Sequence, residues 1–188
     1  MRGETIDNVL IANIIIIALE IMGFYFSRSR GLEIFVFYTQ LSNMVTLLSS
    51  VLFVISRGAA VTIVLRYLST VMLTMTVLIT LFVLVPMGAG FRRMMLSDIG
   101  LFHHTLCPAV SITSYFLWEQ HSSMWGVPVA VTVVYGVALL YLNYIKKVDG
   151  PYPFLKVHEQ SVKATVLWMV ALTALITALS LGIIRLAG

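Results

Sequence analysis

Six apolar runs, each long enough to cross a bilayer, leave this chain of 188 residues little sequence from which to build anything but a membrane bundle. A hydrocarbon core ~30 Å thick takes ~20 helical residues at ~1.5 Å each. The runs are Asn8 to Ser27, Ile34 to Ser56, Val61 to Pro86, Ile99 to Trp118, Met124 to Ile145 and Ser161 to Leu186. With 60% hydrophobic and 11% charged residues, too few polar side chains remain to coat a water-soluble globule. The expectation is all-α: a polytopic bundle of six transmembrane helices forming one domain over residues 1–188, with no soluble domain and no nucleic-acid module. The first run reads as a retained helix rather than a signal peptide. Its flank mixes Glu4 and Asp7 with Arg2, and no small-residue cleavage site follows.

Charge orients the bundle. The loops after the first, third and fifth spans carry Arg28, Arg30, Arg92, Arg93, Lys146, Lys147 and Lys156, and Lys163 sits just inside the last span. The opposite side has Arg2, Arg57 and Arg185. The positive-inside rule then puts the first side in the cytoplasm and both termini outside. The partners this implies are membrane lipids.

Polar residues inside the spans are expensive in hydrocarbon, so each needs a partner. Span two carries Thr39, Ser42, Asn43, Thr46, Ser49 and Ser50 at spacings of three and four, a stripe along one helix face. Span four begins with His103, His104, Cys107, Pro108, Ser111 and Ser114, and span one contributes Glu20. Counted inward from the cytoplasmic ends, Thr39 and His104 lie ~7–8 Å deep and Glu20 ~10 Å deep at helical rise. A hydroxyl, an imidazole and a carboxylate therefore share one layer. The loop Gly150-Pro151-Tyr152-Pro153-Phe154-Leu155 faces the same layer, and its two prolines and two aromatics suit a stiff cap.

Each of these residues also has a plainer explanation. A threonine in a membrane helix usually bonds its own preceding carbonyl, so Thr39 alone reads as structural, with Gln40 and Asn43 as interhelical glue. Intramembrane histidines mark function about as often as they pack. Glu20 fits a protonated, hydrogen-bonded carboxyl as well as a pathway residue. Arg66, five residues from the outer end of span three, is expected to snorkel. A metal or haem centre is not expected, and no cofactor with it. The two histidines are adjacent and point about 100° apart, His121 and His158 fall in loops, and Cys107 is the only cysteine. A proton-coupled transporter using Glu20 and the histidines stays open, although matching inverted repeats are absent. So does a membrane scaffold with a structural polar core.

Three segments together resemble a known family. Phe37-Tyr38-Thr39-Gln40-Leu41-Ser42-Asn43 is similar to the threonine motif of the androgen-induced gene 1 and androgen-dependent TFPI-regulating protein family and its bacterial relatives. Phe102-His103-His104-Thr105-Leu106-Cys107-Pro108 resembles that family's histidine motif, and Tyr152-Pro153-Phe154-Leu155 its Tyr-Pro-Phe-Leu segment. Order and spacing agree over residues 35 to 160, although the chain is shorter than the animal members and its third and fifth spans are dissimilar.

The resemblance implies a multispan hydrolase of fatty acid esters of hydroxy fatty acids, with an intramembrane threonine as nucleophile and a histidine as base. Carried over, the threonine is Thr39. Alignment on His-Thr gives His104, and ungapped counting back from Pro108 gives His103, so His104 ranks first and both are kept. Depth, and not the resemblance, adds the supporting residues: Gln40 or Asn43 as oxyanion donor, Glu20 to orient the imidazole, and Tyr152 and Phe154 of the capping loop as further substrate or oxyanion candidates.

Overall fold

The computed structural model describes residues 2–187, and its described residues form helices and no strand. Among the described residues, five helical stretches are long and apolar enough to cross a membrane: Asp7–Ser27, Tyr38–Ser56, Ala60–Ala89, Gly126–Tyr144 and Val162–Ala187. We label the helices α1 (Arg2–Ser27), α2 (Tyr38–Ser56), α3 (Ala60–Ile79, continuing through Thr80–Ala89), the short α4 (Phe91–Met95), α5 (98–118), α6 (Gly126–Tyr144) and α7 (Val162–Ala187). The expected fourth span is α5. It runs in three consecutive pieces, Asp98–Gly100, Leu101–Leu106 and Cys107–Trp118, of which the middle one is π-helical.

Polar side chains are buried in the bundle beside an apolar core around Tyr67, Val71 and Met72, and large apolar side chains cover its outside. On α2, Ser42, Asn43, Thr46, Ser49 and Ser50 are buried, while Leu48, Leu52 and Ile55 point outward. The outer faces of α1, α6 and α7 expose Ile11, Ile14, Ile15, Val134, Val137, Val166, Leu167 and Val170. This arrangement is stable only where hydrocarbon surrounds the helices and the hydroxyls find partners within them. Serines and threonines meet that need mostly by donating to a carbonyl one turn back. Ser27 donates to Gly23, Thr46 to Ser42, Ser49 to Thr46, Thr70 to Arg66 and Thr74 to Thr70, all at 2.8–2.9 Å.

Two sequence expectations are corrected here. Span two was expected to start at Ile34, but α2 starts at Tyr38, because residues Arg28–Val36 form an irregular 3₁₀ segment broken at Gly31, whose φ is 64°. Thr39 is thus the second residue of its helix and not five residues deep. Arg66, expected to snorkel, is 1% exposed and bound face-on to Glu119, with Nε donating to Oε2 and Nη2 to Oε1, both at 2.8 Å. Nη2 also reaches Ser111 Oγ at 3.1 Å, and Ser114 Oγ donates to Glu119 Oε1 at 2.7 Å. Glu119 lies just past the end of α5, outside the apolar run, so a reading of the runs alone gave Arg66 no partner.

Both π-helical stretches sit beside a proline. Pro86 lies within Thr80–Ala89, and Pro108 follows Leu101–Leu106, where the Cys107 N–H bonds the Phe102 carbonyl five residues back. Proline supplies no N–H and crowds the carbonyl four residues earlier, so widening the turn relieves both problems. The consequence is local: His103 and His104 lie in one widened stretch and Thr80 begins the other.

Candidate active site

Three loops on one face of the bundle, 28–37, 88–97 and 145–161, enclose a cavity of ≈ 1030 Å³. Thr39, Gln40, His104 and Tyr152 line it, with Arg93 and Asp98 nearer the rim. A second, narrow apolar slot lies between α3, α6 and α7, lined by Met75, Ile79, Val133, Gly136, Phe154 and Met169 among others. Thr39, Leu84 and Tyr152 border both spaces, so Thr39 stands where the wide polar cavity meets the apolar slot.

The first turn of α2 is fixed from two sides. Tyr38 Oη and Thr132 Oγ1 are 2.8 Å apart, and Tyr135 Oη donates to the Val36 carbonyl at 2.7 Å, tying the start of α2 to α6. Asn43 Nδ2 donates to the Thr39 carbonyl at 2.7 Å and to the His103 carbonyl at 3.4 Å, stapling α2 to the π-turn of α5. Its amide hydrogens are thereby committed, and its Oδ1 has no partner. Thr39, unlike its neighbours on the polar stripe, does not donate to a carbonyl of its own helix. Helix α2 has only begun, so the residues one turn back are irregular. Its hydroxyl faces the Tyr152 phenol instead, which also lies against the backbone of Tyr38 and Thr39. Tyr152 stacks on Phe154 with ring centroids 5.2 Å apart, and Phe154 packs on Trp168, so the aromatic cap is anchored to α7.

The two histidines have different surroundings. His104 is 8% exposed on the cavity wall, and its Nδ1 lies 3.0 Å from Thr80 Oγ1 on α3. If the Nδ1 proton is donated to that hydroxyl, Nε2 keeps its lone pair. His103 is fully buried. Gln40 Nε2 lies 3.2 Å from its Nδ1, Glu20 Oε2 lies 3.4 Å from its Nε2, and Phe24 meets the ring edge-on at 4.9 Å. Gly23 makes room for this ring, since a Cβ at that position would fall on the imidazole. Cys107 Sγ donates to Glu20 Oε1 at 2.8 Å.

Glu20, expected to orient the catalytic imidazole, therefore partners His103, whereas Thr80 holds His104. Thr80 and Gly23 were not singled out in the sequence. A hydroxyl at the depth of His104 in an otherwise apolar run was the available signal for Thr80; a small residue among large ones was the signal for Gly23. Among the described residues no three His, Cys, Asp or Glu side chains are grouped to hold a metal ion. No family model, curated protein or solved structure matches the chain.

Proposed function

We propose that this protein is an intramembrane hydrolase of lipid esters, with Thr39 as nucleophile and His104 as base. The observation that carries the reading is the Thr39 hydroxyl. It is not spent on its own helix, and it borders the cavity that His104 also lines. In this reading His104 Nε2 takes the hydroxyl proton as Thr39 Oγ1 adds to the ester carbonyl, and returns it to the departing alcohol. Of the first-turn N–H groups of α2, those of Gln40 and Leu41 bond the Phe37 carbonyl, which leaves those of Tyr38 and Thr39, with the Tyr152 phenol, as the donors nearest the developing oxyanion. The apolar slot is small, ≈ 60 Å³, with room for only the first few methylenes of a hydrocarbon chain, and the wide cavity suits the more polar part of the substrate. Fatty acid esters of hydroxy fatty acids, the class that the resemblance implies, have both parts.

A second reading, proton-coupled transport, is favoured by the buried Glu20, whose Oε2 has no hydrogen-bond partner. The two separate in one experiment. Purified protein in detergent is expected to hydrolyse such esters, and the same protein in liposomes to show no pH-driven flux. Flux without hydrolysis, abolished by Glu20→Gln, would replace the enzyme with a transporter. On the charge asymmetry the cavity opens to the cytoplasm. In a Cys107→Ala background, an impermeant thiol reagent should label a cysteine at the exposed Ser123 and spare one at the exposed Ser29; the reverse pattern would invert the orientation.

A further inference from the structure

Beside the base, the fold keeps a second histidine sealed from the cavity, and the proposed acylation step makes no use of it. His103 is held by residues of three helices: Glu20, Gly23 and Phe24 on α1, Gln40 on α2, and its own π-turn on α5. What this assembly fixes is the side-chain amide of Gln40. The Gln40 NH₂ can only donate, so Nδ1 accepts and the ring proton lies on Nε2, 3.4 Å from Glu20 Oε2 though not aligned for a hydrogen bond. The amide then turns its NH₂ to Nδ1 and its carbonyl oxygen away. That oxygen, Gln40 Oε1, is buried and has no hydrogen-bond partner. A buried amide oxygen without a partner is destabilising unless a water satisfies it. Gln40 directly follows Thr39 and lines the same cavity as His104.

We propose that Gln40 Oε1 binds and positions the water that resolves the acyl-enzyme, and that Glu20 and His103 are positioning residues acting through the Gln40 amide. The assignment rests on the hydrolase reading. The acyl group is on Thr39 Oγ1 at this stage. The water donates one hydrogen bond to Gln40 Oε1 and presents its other proton to His104 Nε2. As its oxygen adds to the acyl carbonyl carbon, that proton passes to Nε2. The tetrahedral intermediate then collapses, the bond from Thr39 Oγ1 to the acyl carbon breaks, and the proton on Nε2 passes to Oγ1. The carboxylic acid leaves, and no oxidant or cofactor is consumed. In this account Gln40 accepts from the water and does not supply the oxyanion donor, a role for which its committed NH₂ is badly placed.

Burst kinetics with a p-nitrophenyl ester of a fatty acid separate the two half-reactions. In Gln40→Ala the first turnover should release nitrophenol at close to the parent rate, while steady-state turnover falls by about 10²-fold, the scale of a mispositioned reactant. The acylated chain should then accumulate, visible as an intact-mass shift. Glu20→Gln, nearly isosteric, should accumulate the same species to a smaller degree and gives a second readout if Gln40→Ala folds poorly. Burst rate and steady state falling together in both variants, with no acylated chain, would overturn the assignment. If the parent protein shows neither a burst nor turnover, the hydrolase reading itself fails and the assignment falls with it.

Discussion

Thr39→Ala should abolish hydrolysis of fatty acid esters of hydroxy fatty acids while leaving the protein folded. The hydroxyl makes no bond to its own helix, and Thr39 borders both cavities rather than sitting in close-packed core, so the substitution should cost about 1 kcal/mol or less. Loss of activity in material with a near-parental melting temperature would then be chemical. Thr39→Ser should keep part of the activity, because the oxygen survives and only the stiffness of a β-branched side chain is lost. His104→Ala should lower turnover by about 10²-fold or more, the usual scale for a positioned base. Turnover by Thr39→Ala at the parent rate would remove the threonine from the mechanism.

The largest effect on stability is expected at the other end of the bundle. Arg66→Ala leaves Glu119 buried with only Ser114 to bond, and breaking one side of a buried ion pair typically costs about 3–5 kcal/mol. Replacing both partners, as in Arg66→Met with Glu119→Leu, removes the desolvated charges together and should recover most of that loss. Thermal unfolding in detergent, followed by tryptophan fluorescence, measures both. A single variant that melts with the parent would show that water reaches the pair and that the arginine is not sealed in the bundle.

How far the sequence anticipated this arrangement depends on the kind of interaction. Apolar runs and the polar stripe of α2 are properties of residue type and helical period, so the bundle and the inward face of Ser42, Asn43, Thr46 and Ser49 were legible. Counting depth also brought Thr39, the histidines and Glu20 to one layer, although the late start of α2 at Tyr38 places Thr39 there as a first-turn residue. Partner choice within the layer was not legible. An α-helical period separates His103 from His104 but cannot say which of them faces α1. The π-turn ahead of Pro108 rotates the segment so that His103 meets Glu20 and His104 meets Thr80. The space for His103 depends on a missing side chain at Gly23, which no count of polar residues detects. The burial of Arg66 is hidden from the sequence for a related reason, since its partner Glu119 lies beyond the end of an apolar run.

The central claim is that the Thr39 oxygen becomes covalently bonded during turnover. It is tested most directly by treating the purified parent protein and Thr39→Ala with a fluorophosphonate probe and locating the adduct by peptide mass spectrometry. The account predicts one adduct on the parent, on the peptide containing Thr39, and none on Thr39→Ala. An adduct of equal yield on both proteins, or one mapped to another residue of a hydrolytically active parent, would contradict it.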